Sequence, residues 1–136
     1  MFLGEIPRVN DFENKKPVGE HCLTDGLHDD YVLDDSALVY KQKDGIYIIT
    51  GCSHAGICNI AEYAKQITGC SVIKGIIGGL HLFSGRSQQT SATADYLKQN
   101  VEGNIYPCHC TNLAAKFALH AKLPVQEVGV GLTLEW

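Results

Sequence analysis

The sequence lacks a basic excess, a long apolar run and a leader-like start. Its 136 residues carry 11 Lys and Arg against 15 Asp and Glu, a formal charge of −4. With no net positive field, a nucleic-acid or anionic-membrane partner is not expected. No apolar stretch reaches the roughly 20 residues that cross a bilayer. The start "MFLGEIPRVNDFE" has neither the basic n-region nor the apolar segment of a signal peptide, so a cytoplasmic location is expected. Internal repeats and low-complexity segments are absent. So are a His-x-His pair, a His-Glu-x-x-His motif and a Cys-x-x-Cys pair, which excludes reading a self-contained metal site from spacing alone.

What is present is the composition of one soluble globular domain: 45% hydrophobic and 19% charged residues, with a mean hydropathy near zero. The length allows a modest core. Six cysteines stand out. Cys52 and Cys58 flank one histidine, and Cys108 and Cys110 flank another. Without a signal peptide, metal or reactive-site chemistry is a better account of those pairs than a secreted disulfide framework. Cys22 and Cys70 read as ordinary reduced thiols.

Along the chain, residues 1–35 read as an irregular N-terminal arm and residues 36–136 as the structured α/β part. Pro7–Asp35 shows no sustained period, and its acidic residues Asp25, Asp29, Asp30, Asp34 and Asp35 read as a solvated, turn-rich surface. So long a loop is uncommon unless it is functional or packs on something else. "SALVYKQ" and "GIYIIT", joined through Lys43-Asp44-Gly45, predict a β-hairpin. Ile57, Ile60, Ala61, Ala64 and Ile67 recur at helical spacing, with Gly69 as the stop. "SVIKGIIGG" predicts a buried strand. "SATADYLKQNV" predicts a helix capped by Ser91, and "NIYP" a short strand ended by Pro107. "TNLAAKFALHAK" predicts a helix with Leu113, Phe117 and Ala121 inward, and "VQEVGVGLTLEW" one or two closing strands. Strands alternating with helices argue for an α/β fold in which helices pack on a mixed sheet.

Three histidines share one kind of position. His54 follows "GIYIIT", His81 follows "VIKGIIGG" and His109 follows "NIYP", so each lies just past the carboxyl end of a predicted strand. Parallel strands would bring all three to one rim, where ligands bind in α/β sheets. His54 and His109 also precede predicted helices, whose N-termini favour anions or metal-bound oxygen. Gly51, Gly56, Gly78 and Gly79 surround them, where backbone must turn sharply or approach a bound group. His21, His28 and His120 read as structural. Imidazole with optional thiolate suits zinc, iron or manganese, and three ligands with an open position would activate water. The alternative is a closed structural zinc site of Cys52, His54, Cys108 and Cys110.

"LGEIPRVNDFE", "DDSALVYKQKDGIYIITGCSHAGICNI", "IIGGLHLF", "YPCHCTN" and "EVGVGLTLE", in this order, resemble the C-terminal part of a metallo-β-lactamase-fold family. The branch is that of the 7,8-dihydropterin-6-methyl-4-(β-D-ribofuranosyl)-aminobenzene-5′-phosphate synthases, or metallo-hydrolases. The resemblance implies one half of an αββα sandwich with a metal site at its edge. The family's His-x-His-x-Asp-His motif, carried by the other half, is absent here. By the same resemblance His54 and His109 are metal ligands, His81 is a ligand or a catalytic substrate contact, and Cys52 is a thiolate or substrate-facing catalytic group. The implied cofactor is a divalent metal, zinc first. Asn112 departs from the glycine that the family usually has after Cys-Thr.

Two readings follow. One is a hydrolase or synthase half, inactive alone, in which a metal-activated water attacks a phosphorylated or pterin-like small molecule. The other is a non-catalytic metal- or ligand-binding module. Half a sandwich would expose apolar surface, so self-association into a homo-oligomer, or pairing with a separately encoded N-terminal half, is expected.

Overall fold

Residues 1–35 carry more structure than their composition predicts. In the computed structural model, which describes residues 1–136, Thr24-Asp25 turns the chain between β1 (Gly19–Leu23) and β2 (Gly26–Asp30). These strands form a separate antiparallel hairpin, correcting the expectation of an irregular arm. The sequence cue is Gly26 after Asp25: Gly26, with a φ of 135°, opens β2 directly after the Thr24-Asp25 turn. The chain start is also ordered: Leu3 and Ile6 enter the core, Met1 exchanges backbone hydrogen bonds with Val39, and the Leu3 N–H donates to the Ala37 carbonyl.

β3 (Ala37–Lys41) and β4 (Ile46–Thr50) form the expected antiparallel hairpin. Helix α1 (Ile57–Thr68) buries Ile57, Ile60, Ala61 and Ala64 and ends on Gly69, whose φ of 64° is left-handed. β5 (Ile73–Gly78) then pairs parallel to β4. Helix α2 (Gln88–Asn100) begins earlier than predicted. Ser87, not Ser91, is its cap, accepting a hydrogen bond from the Thr90 N–H at 3.1 Å. β6 (Val101–Pro107) is longer than "NIYP" and pairs parallel to β5. Helix α3 (Leu113–His120) starts at Asn112, whose side chain accepts from the Ala115 N–H at 2.8 Å. Asparagine in place of glycine therefore supplies a good cap.

Two further expectations fail. In α3 the buried residues are Ala115 and Leu119, while Leu113 and Phe117 are 68% and 67% exposed, and Ala121 is exposed beyond the helix end. Apolar residues occur all round this short helix, so their spacing did not single out a face. The closing segment forms no strand; only Val125 makes an isolated bridge, to Ile105.

The four-stranded sheet runs β3-β4-β5-β6, mixed as expected. Strand register puts Val39, Ile48, Ile76 and Ile105 in one row. All four are buried, on the face that α1 and α2 cover. The neighbouring row, Leu38, Ile49, Ile77 and Tyr106, projects to the other face, since successive side chains alternate. Leu38 and Ile49 there are 47% and 38% exposed. On the same face Trp136 stacks on Tyr47, with ring centroids 4.5 Å apart. No helix is long and apolar enough to cross a membrane.

Candidate metal centre

Because β4, β5 and β6 are mutually parallel, the loops after them meet at one edge of the sheet. They are laced together by main-chain bonds: Gly79 N–H to Gly51 C=O, Cys108 N–H to Gly78 C=O, and Leu82 N–H to Cys110 C=O. Ser53 ties the first two loops. Its buried hydroxyl donates to the Gly79 carbonyl at 2.7 Å and shares a hydrogen bond with Thr50 Oγ1 at 2.9 Å. Thr111 binds the third, its Oγ1 accepting from the Leu80 N–H at 3.0 Å. At Gly79 a Cβ would run into Cys110 Sγ and stand 3.0 Å from His109 Cε1. Only glycine admits those two side chains.

Two adjoining groups of donors result. In the first, the donor atoms of Cys52, His109 and Cys110 all lie within 4.8 Å of one another, and Cys52 Sγ is 3.0 Å from His109 Nε2. In the second, the rings of His54 and His81 meet edge to face with centroids 4.7 Å apart. Asp35 Oδ1 lies 3.9 Å from His54 Nδ1. The Nδ1 of His81 is buried without a hydrogen-bond partner. Burial, then the neighbouring His54, pushes the His81 pKa below its ordinary value, with Asp35 acting the other way. Burial chiefly pushes the Cys110 thiol up.

The structure thus brings His54 and His81 together and sets His109 against Cys52 and Cys110. Of the four residues of a closed structural site, Cys52 and Cys110 meet. Cys108 Sγ faces the Tyr106 carbonyl instead, and His54 packs on His81. Backbone strain marks the same rim: Ser53 and His81 hold φ of 58° and 49°, a region that non-glycine residues enter at a cost.

Sequence reasoning missed the residues that brace this rim. Asp35, read as part of a solvated patch, has a side chain only 7% exposed, and its Oδ2 accepts the Ala55 N–H at 3.0 Å. Asn14 donates to the carbonyls of Ser53 and His54 at 3.1 and 2.9 Å. Glu13 is buried and accepts the Cys58 and Asn59 N–H groups, both at 3.0 Å. It caps α1, whose first turn holds no acidic residue of its own. Asp25, Asp29 and Asp34 are exposed, as expected. A cleft beside His81 is lined by Phe12, Lys15, Lys16, Phe83 and Gln88.

This α/β architecture matches about half of a solved metal-dependent hydrolase of the β-lactamase superfamily. The crystal structure of Tm1679, a metal-dependent hydrolase of the β-lactamase superfamily, matches 99% of this chain and 52% of its own, with a TM-score of 0.84 and 27% identity. The uncharacterised protein MJ0448 of Methanocaldococcus jannaschii is 39% identical over 116 residues, covering 85% of this chain and 41% of that protein. The 7,8-dihydropterin-6-methyl-4-(β-D-ribofuranosyl)-aminobenzene-5′-phosphate synthase of the same organism is 32% identical over 118 residues, covering 84% of this chain and 40% of the synthase. The chain therefore spans about two-fifths of the length of these curated relatives. No protein-family model matches it.

Proposed function

We propose that this chain is the C-terminal half of a metallo-β-lactamase-superfamily hydrolase, acting on a phosphorylated or pterin-like small molecule. The observation that carries this reading is the convergence of Cys52, His109 and Cys110, beside His54, His81 and Asp35, on one sheet edge.

The donors suit a divalent metal. Donor atoms of a tetrahedral zinc site stand roughly 3.5 Å apart, so three atoms within 4.8 Å need only small rotations. The unpartnered, buried Nδ1 of His81 also favours a bound group at the rim. Cys52, His109 and Cys110 would hold the ion on this reading, with His54 and His81 as the adjoining ligand pair. Zinc fits this mixed thiolate and imidazole set best. When bound, such a metal supplies a water-derived nucleophile near neutral pH and polarises the group under attack.

The chain's own residues do the rest. Asp35 Oδ1 stands 3.9 Å from His54 Nδ1, beyond hydrogen-bond reach. It would orient that imidazole only by closing on it, as a carboxylate behind a ligating imidazole does. Asn14 and Glu13 hold the loop that carries Cys52 and His54. His81 faces the cleft, where Lys15 and Lys16 offer charge to a phosphate and Phe12 and Phe83 offer apolar surface to a ring. The name of the synthase relative, which contains both a dihydropterin and a 5′-phosphate, supports this substrate class.

On this proposal the site is completed by a second α/β half packed on the open sheet face. Support comes from the exposed Leu38 and Ile49 and from the greater length of the relatives. The isolated chain then binds metal weakly and turns over little. Cobalt titration tests this: thiolate-to-cobalt absorption should grow during titration and fall in Cys52→Ser and Cys110→Ser. Tightly held stoichiometric metal with hydrolase activity would overturn the incompleteness, and no binding would overturn the metal reading. The two thiols in the donor set favour one alternative, a structural Cys/His zinc site. Under it, removing metal unfolds the domain.

A further inference from the structure

We propose that Cys52 and Cys110 are a redox-modification site that closes an intramolecular disulfide when a hydroperoxide reaches the rim. The disulfide stands on the thiol geometry alone; only its effect on metal rests on the reading above. Three observations support it. The two sulfurs lie within 4.8 Å of each other, neither is in a disulfide, and both are partly exposed. His109 Nε2 contacts Cys52 Sγ at 3.0 Å and holds that sulfur at the rim. Cys110 Sγ already leans toward the Cys52 loop, donating to the Cys52 carbonyl at 3.4 Å.

This geometry assigns the order of events. Cys52, whose sulfur is not tied to a carbonyl as Cys110 Sγ is, is the attacking thiol. Its sulfur bonds to one peroxide oxygen as the O–O bond breaks, and its proton goes to the departing oxygen, releasing water (or an alcohol). Cys52 is then a sulfenic acid. The Cys110 sulfur attacks it, the S–S bond forms and the S–O bond breaks, and the Cys110 proton leaves with the hydroxyl as water. Each sulfur loses one electron and the peroxide gains two. A thiol reductant reverses the change by exchange. The other cysteines are placed differently: Cys58 is a buried residue of the first turn of α1, and Cys108 Sγ faces the Tyr106 carbonyl.

The test is peptide mapping of the full metal-free chain after stoichiometric hydrogen peroxide, without reductant. The expected product is a Cys52–Cys110 link within one chain. Cys110→Ser should leave Cys52 trapped as a sulfenic acid by a dimedone probe. Cys52→Ser should slow thiol loss at the rim at least about tenfold, and Cys108→Ser should form the same link as the parent chain. A link from Cys52 to Cys108, links between chains alone, or no link overturns the proposal. A parallel sample kept in saturating zinc throughout separates the two readings. Protection by zinc supports both. A disulfide that forms regardless of zinc supports the modification site and counts against the metal reading.

Discussion

Glu13 shows how much of this rim depends on a residue far from it in sequence. Its carboxylate satisfies the Cys58 and Asn59 N–H groups and receives the Asn10 side-chain amide at 2.6 Å. A Cβ at Gly56, where φ is 97°, would collide with that carboxylate, so arm and loop fit only as a pair. Burial is the largest influence on Glu13 and raises its pKa above 4.5, against the opposing hydrogen bonds. The unfolded chain therefore releases this proton first. Its contribution is fully present below pH 4.5 and is lost as pH rises through the raised folded value. Urea denaturation across that window should show stability falling with pH in the parent chain and a flatter profile in Glu13→Gln. Glu13→Ala should cost about 1–3 kcal/mol by orphaning two buried N–H groups. A profile unchanged by Glu13→Gln would show that Glu13 does not titrate as argued. Residues of this kind were not legible in the sequence. Glu13 reaches Cys58, Asn14 reaches His54 and Asp35 reaches Ala55 across long loops, and no local period links such partners.

At the level of elements, short-range chemistry was legible where patterns were one-sided. The Asp44-Gly45 turn, the run of β5 and the stripe of α1 form as their patterns predict, except that Ile67, at the end of the stripe, is 45% exposed. Helix α3 departs because alanine, leucine and phenylalanine lie on nearly every side of it. The structure makes Leu119 its core anchor and leaves Phe117 in solvent. Thermal melts should therefore separate the two. Leu119→Ala should cost about 2–5 kcal/mol by opening a cavity, and Phe117→Ser should stay within about 0.5 kcal/mol. Equal losses would restore the predicted inward face. The β1–β2 hairpin was missed for another reason: its strands are polar and mostly exposed, so no buried alternation betrays them.

For the whole molecule, the decisive feature is a sheet with helices on one face only. The row Leu38, Ile49, Ile77 and Tyr106 is the sort of surface that sheets bury against sheets. Light scattering should accordingly show concentration-dependent self-association of the isolated chain, abolished by Leu38→Lys with Ile49→Lys. A clean monomer at high concentration would count against a covering partner. On the proposed function this open face is where a second half would pack, and relatives more than twice as long carry further chain beyond the matched region.

The sequence by itself determined the alternation of strands and helices and put a histidine just past each of three strand ends. Turn chemistry and periodicity act over a few residues, and those residues are adjacent in the chain. Tertiary structure alone decided which donors meet. The parallel register of β4, β5 and β6, with the strained turns at Ser53 and His81, joins Cys52 to His109 and Cys110 and His54 to His81 and Asp35. Those partners are separated by roughly 20 to 60 positions, a span over which packing sets proximity and local propensity does not.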